Sequence, residues 1–287
     1  MPSRRQFFAA TALVGVAPFV SGMPPEAPAR TPTGSFWEPL DRQMIDWLGI
    51  KPGQAVLDAG CGNGDHLGLF AESAGFVTGL DLSAKNLNTA KERLKNHRRR
   101  ERIAYVKGDV LNPPFKSESF DLVWASHVLH ILKDPVAGAK ALASTLRQGG
   151  RLAVREDGAH TWMLPLDTGV GRPGLESRLN ALFVEWFVDD RLARGRVPFG
   201  WTEVLRKAGL KDVRTKSFLF EAYPLFTEAQ VTYLRSRLKR QLEWGDKLSA
   251  EDRRTLELLT DPKSEHDAFR RNDLHVVSVS TVYIGQV

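Results

Sequence analysis

At 287 residues the chain is long enough for one large α/β domain with insertions, and its 42% hydrophobic and 26% charged content is that of a folded protein with a substantial core. The 24 glycines and 16 prolines exclude a collagen-like or low-complexity chain, and the single cysteine, Cys61, excludes an intrachain disulfide and a cysteine-held zinc. A net charge of +6 admits an anionic partner, but the densest basic run, Arg93 to Arg102, sits at a predicted helix end without interleaved aromatic residues, so no nucleic acid is expected there.

Residues 1–30 read as a leader of the twin-arginine type. They hold Ser3-Arg4-Arg5-Gln6-Phe7-Phe8, an apolar run from Ala9 to Val20, and small residues at Ala27-Pro28-Ala29. The run is too short to span a bilayer, so no stable membrane insertion is expected once the leader is removed. Export and a cytosolic location with an N-terminal extension both fit this pattern.

From Phe36 to Leu48 apolar residues recur at helical spacing, and Lys51-Pro52-Gly53 ends the helix. Short β-branched or apolar runs at Ala55–Ala59, Val77–Asp81, Ile103–Lys107, Phe120–Ala125 and Arg151–Arg155 then alternate with helix-patterned segments at 65–73, 83–97 and 135–147. Such alternation predicts a parallel sheet with helices on both faces. After Glu156 the rhythm changes. A long segment containing Trp162, Phe183, Trp186, Phe187 and Pro198 leads to a helix at Thr202–Ala208, a strand at Val213–Phe220, helices near Thr227–Glu243 and Ala250–Leu259, and a last strand at His275–Ile284. The helical pair is expected to form a lid, and a dimer surface is the other reading of the same segment.

The first predicted strand runs into Val56-Leu57-Asp58-Ala59-Gly60-Cys61-Gly62-Asn63-Gly64. Glycines allow positive φ and remove the β-carbon, so backbone amides can close around a polar ligand at the start of the next helix. The second strand ends in Gly79-Leu80-Asp81-Leu82-Ser83, where a carboxylate can accept from both hydroxyls of a ribose. Ser83 is the alternative cap for the helix that follows. The third strand ends in Gly108-Asp109-Val110. A dinucleotide fingerprint counted from Gly60 would want glycine where Asp65 stands, so a nicotinamide-dependent oxidoreductase is the weaker reading.

This succession resembles the class I S-adenosylmethionine-dependent methyltransferases. The resemblance implies that Asp58, Gly60, Cys61 and Gly62 hold the amino acid part of S-adenosyl-L-methionine, that Asp81 and Leu82 face the ribose, and that Asp109 and Val110 meet the adenine, with Ser126 completing the site. Asn112-Pro113-Pro114-Phe115 looks like the tetrapeptide of amine-methylating nucleic-acid enzymes but precedes the fourth strand, whereas theirs follows it. The stretch Gly108 to Ile131 is instead similar to the ubiquinone and menaquinone C-methyltransferases, with Gln148-Gly149-Gly150 where that branch has Pro-Gly-Gly. The implied fold is α/β, doubly wound and Rossmann-like: seven mostly parallel strands, a final antiparallel strand and a helical lid insertion. It divides 31–287 into a cofactor-binding half at 36–156 and insertions at 157–212 and 221–274.

A sulfonium methyl is already activated, so the protein has chiefly to align a small-molecule acceptor and exclude water. No metal is expected. If the acceptor is a hydroxyl or an acidic carbon, a general base helps, and His127, His130 and His160 follow the fourth and fifth strands. His127 ranks first because it follows its strand most closely, and His130 second. Transfer to oxygen, carbon or nitrogen stays open, as does the oligomeric state. A non-catalytic S-adenosylmethionine-binding regulator and an RNA methyltransferase are the other readings of the same cradle.

Overall fold

A computed structural model describes residues 35–156, 161–194 and 197–287, with side chains at 190–194 and 245–246 left aside. The leader at 1–30 and the candidate His160 lie outside the described residues. The elements in chain order are α1 (Glu38–Trp47), β1 (Ala55–Ala59), α2 (Leu67–Ser73), β2 (Phe76–Asp81), α3 (Ala84–Leu94), β3 (Ile103–Lys107), β4 (Phe120–Ser126), α4 (Pro135–Ala143), β5 (Leu146–Arg155), β6 (Thr161–Trp162), α5 (Leu175–Arg194), α6 (Trp201–Lys207), β7 (Lys211–Ala222), α7 (Glu228–Lys239), α8 (Ala250–Thr260) and β8 (Val276–Gln286).

Strands β3, β2, β1, β4 and β5 pair in that order, all parallel, and β8 then joins β5 antiparallel. On its far side β8 pairs with β7 over almost its whole length. The two-residue β6 meets β8 at Ser278 and Val277, continuing the line of β5, so the sheet has the seven predicted strand positions plus this short extension. Strand order reverses between β1 and β4. Chain crossovers leave β1 and β4 toward opposite sides there, which opens a crevice at the carboxyl edge.

Alternation along the central strands divides the core. Val56, Val77, Leu122, Trp124 and Ala153 face the layer of α1, α2, α3, α7 and α8, while Leu57, Leu80, Val123, Ala125, Leu152 and Val154 face α4 and α6. Both faces are covered, which is why these strands read as apolar runs. The main departure from the sequence expectation is α5, a 20-residue helix where no element was predicted. Its run Leu182-Phe183-Val184-Glu185-Trp186-Phe187-Val188 shows neither a helical nor a strand period. One side meets the core through Leu175 and Leu179, and Val184, Trp186 and Val188 remain about half exposed. Among the described residues no helix is long and apolar enough to cross a membrane, and no group of three or more His, Cys, Asp or Glu is arranged to hold a metal.

Candidate active site

The loop after β1 makes its turn with Gly60 at φ +73° and Gly62 at φ +53°, a region that side chains with a β-carbon disfavour. The two positions differ in their surroundings. A β-carbon on Gly60 would lie 2.5 Å from Val128 Cγ2, so this glycine is needed for packing. One on Gly62 would meet no protein atom within 4 Å, because it would project into open space. The amides of Gly60 and Cys61 both donate to the Leu80 carbonyl, at 2.7 and 3.0 Å, tying the loop to β2. Cys61 is buried, and burial raises its thiol pKa, so it fills the loop as a neutral side chain.

Asp58 closes the floor beneath this loop. It is 1% exposed, and its Oδ2 is buried with no hydrogen-bond partner. Desolvation pushes its carboxyl up to about 7, helped by the Asp65 and Asp81 charges and opposed by His66. A buried carboxylate oxygen with no donor is costly, and a cationic group reaching it beside the glycine loop would satisfy it.

Asp81 occupies the corresponding end of β2. Its Oδ2 accepts from the Gly62 amide at 2.9 Å, and its Oδ1 from Ser83 N at 2.8 Å and Asn86 Nδ2 at 3.1 Å. Ser83 Oγ itself caps α3 by accepting from Asn86 N, so Asp81 is left to face the loop. Leu82, the next residue, is 67% exposed. Asp109, at the end of β3, uses Oδ1 to accept from Leu111 N at 2.9 Å, and Val110 packs against the α4-side core. Because β1, β2 and β3 are parallel and adjacent, Asp58, Asp81 and Asp109 share one edge of the sheet.

Next to this edge lies a cavity of about 640 Å³. Gly60, Cys61, Gly62, Ser126, His127 and His130 all line it, so the glycine loop and the candidate bases are brought together. Asp81, Leu82, Asp109 and Val110 lie along the edge outside that lining. His127 has a left-handed backbone, φ +56°, and is exposed, with Nδ1 3.5 Å from Ser126 Oγ. His130 is held more tightly. Its Nδ1 is 2.6 Å from Glu156 Oε2, and the other oxygen of Glu156 accepts from the amides of Val128, Leu129 and His130 at 3.0, 2.7 and 3.3 Å.

Sequence reasoning missed a second polar group on the opposite wall. Asp58, Trp124 and Arg155 stand on the α1-facing side of β1, β4 and β5. Arg155 donates to Asp41 of α1 at 3.0 Å and to Ser280 of β8 at 2.9 Å. His66, just before α2, accepts from Trp124 Nε1 at 3.3 Å and has Nε2 3.5 Å from Asp41. The indole donor at Nδ1 leaves the proton of the neutral ring on Nε2, facing Asp41. Burial alone would lower the His66 pKa, but the Asp41 and Asp58 carboxylates more than offset it and hold it above the ordinary value. Only proximity in space makes Asp41, His66 and Arg155 visible as a group. Glu156, which the sequence marked only as a carboxylate directly after β5, belongs with His130 instead.

The aromatic wall of the cavity comes from α5, through Phe183, Trp186 and Phe187. Phe183 and Phe187 are stacked with centroids 6.3 Å apart, and Phe187 lies 5.6 Å from the His130 ring. From the helical pair read as a lid, Arg237 of α7 reaches the lining.

Residues 57–154 match the family described as "Methyltransferase domain". Over 113 residues the chain is 34% identical to the 2-phytyl-1,4-naphtoquinone methyltransferase of a Nostoc species, covering 38% of this chain and 49% of the relative. It is 35% identical over 121 residues to the demethylmenaquinone methyltransferase of Beutenbergia cavernae, covering 42% and 48%. The chain spans about half the length of the curated relatives it matches. Among solved structures, phosphoethanolamine N-methyltransferase 2 of Haemonchus contortus, in complex with S-adenosyl-L-methionine, superposes with a TM-score of 0.51 at 23% identity, covering 86% of this chain and 52% of that one. The YcgJ protein of Bacillus subtilis gives 0.51 at 16% identity, covering 87% and 98%. The stretch 57–154 is thus similar to methyltransferase domains, and the strand order is that of the structural neighbours.

Proposed function

We propose that the protein transfers a methyl group from S-adenosyl-L-methionine to a small-molecule acceptor. The observation that carries this reading is the unpartnered, fully buried Asp58 Oδ2 under a glycine loop whose Gly62 opens on empty space. A ligand bearing an ammonium group satisfies that oxygen, and the room above Gly62 admits its chain. Asp58, Gly60, Cys61 and Gly62 would hold the amino acid part, Asp81 the ribose hydroxyls, and Asp109 with Val110 the adenine, with Leu82 and Ser126 alongside. When bound, S-adenosylmethionine supplies a methyl on a positively charged sulfur, already activated toward in-line displacement.

The chain's own task is then to place an acceptor and receive its proton. His130 is the better candidate base, although His127 lies closer to the end of β4. The Glu156 carboxylate at Nδ1 keeps a proton there, leaving Nε2 as the basic nitrogen. Glu156 is anchored by three amides and fixes the ring as well as its tautomer. The α5 aromatics shield this nitrogen from water and offer a face for an apolar or planar acceptor. The demethylmenaquinone and 2-phytyl-1,4-naphtoquinone methyltransferases among the relatives are named for ring-bearing acceptors, which suits such a wall.

Calorimetry with S-adenosylmethionine and S-adenosylhomocysteine tests the ligand, and labelled methyl transfer into a small-molecule extract tests the reaction. Saturable binding of both with labelled product is expected. Nicotinamide dinucleotide binding in their place would overturn the reading, and tight binding without transfer would favour a regulator.

A further inference from the structure

We infer that the acceptor is a small planar acid, with its anionic group held by Arg237 and its ring lying on Phe183, Trp186 and Phe187. The inference rests on the methyltransferase reading of the same cavity. Arg237 lines that cavity from α7, with its guanidinium 5.6 Å from the centroid of the Trp37 ring. Among the described residues it makes no hydrogen bond and no ion pair. A guanidinium over an aromatic face is held by its flat side, while its five N–H donors point outward from its rim and need acceptors. Among the described residues those donors meet none. A carboxylate in the cavity would supply two at once.

Two other charged pairs among the described lining residues are internally matched. Arg155 is paired with Asp41, and Asp65 with Arg93 at 2.5 Å. Glu176, whose charge is felt at Arg237, accepts from the amides of Met163 and Leu164 and is committed to holding that segment. Burial also pushes its carboxyl up to about 7, which weakens its competition for the guanidinium. Of the two arginines that line the cavity, Arg237 is the one that, among the described residues, is left for a ligand.

Size limits the rest of the acceptor. The 640 Å³ must also take the methionyl end of the cofactor, since Gly60 to Asn63 line the same space. The remaining room suits one or two rings, and the stacked Phe183 and Phe187, with Trp186 beside Phe183 at 5.8 Å, favour a flat one.

The test uses para-hydroxybenzoate and its uncharged methyl ester as probes, titrated by calorimetry into the full chain saturated with S-adenosylhomocysteine. The acid should bind roughly ten- to a hundred-fold more tightly than the ester, as expected for a charge-assisted pair. Arg237→Gln should bring the acid down to the ester's affinity, and Arg237→Lys should keep part of the preference, with S-adenosylhomocysteine binding unchanged in both variants. Equal affinities for acid and ester, an acid preference that survives Arg237→Gln, or no saturable heat with the acid would each overturn the inference. Absence of heat with S-adenosylhomocysteine itself would instead remove the methyltransferase reading on which the inference stands.

Discussion

Asp58 carries a cost in stability. Its carboxyl, raised to about 7, keeps its proton in the folded protein at pH values where the unfolded chain has lost it. Stability is therefore lost as pH rises from the ordinary carboxylate range through about 7. Asp41 behaves in the opposite way: His66 and Arg155 lower its pKa against the effect of burial, and its contribution is lost as pH falls. Asp58→Asn should leave thermal stability near pH 5 almost unchanged and raise it at pH 8 by on the order of 2 kcal/mol, while weakening S-adenosylhomocysteine binding at pH 8. An unfolding midpoint that gains nothing between pH 5 and pH 8 would show that the carboxyl is not strained. At this scale the sequence was informative for Asp58, Asp81 and Asp109, because each is the last polar residue of an apolar strand run. It was silent on Asp41 and His66, which lie in helix-patterned stretches where an acidic or imidazole side chain is usually solvated.

Among the elements, the turn after β4 depends on a residue from β5's far end. Glu156 accepts three consecutive amides of the Val128–His130 turn and orients His130 as well. Glu156→Ala should destabilise the protein by about 2–4 kcal/mol, since buried amides lose their acceptor. Glu156→Gln keeps one acceptor for the amides but removes the charge beside Nδ1. Its expected signature is a largely retained unfolding midpoint with a fall in kcat; a kcat equal to that of the unaltered protein would remove His130 as base. β1 and β3 were legible to the residue, β1 because a buried strand of a parallel sheet is apolar almost throughout and β3 because its short apolar and aromatic run is bounded by a charged stretch and a glycine. α5 was not, because one side serves the core and another the cavity, and the two demands together erase its period.

For the whole molecule, the chain up to Arg155 supplies the five parallel strands, and the part after it adds the antiparallel strands and the helices α5 and α7 that line the cavity. Arg178 of α5 grips Asp252 of α8 through three contacts of 2.5 to 3.1 Å, and Arg235 of α7 grips Asp267 at 2.9 and 3.0 Å. The first pair ties α5, which carries the aromatic wall, to α8. Arg178→Ala should cost about 3 kcal/mol of stability, because it leaves the buried Asp252 carboxylate unpaired, and should weaken para-hydroxybenzoate binding with S-adenosylhomocysteine affinity kept. Equal losses for both ligands would mean that α5 supports the fold as a whole and not the acceptor side in particular.

The sequence by itself determined the strand order's raw material and the glycine cradle, because backbone conformation and period-two burial are written locally in residue type. Tertiary structure decided which cavity histidine has a carboxylate behind it, which of the two lining arginines is paired among the described residues, and which helix walls the cavity. Those are properties of side chains far apart in the chain that meet only when β5 and β8 close the sheet and α5 and α7 fold over its edge.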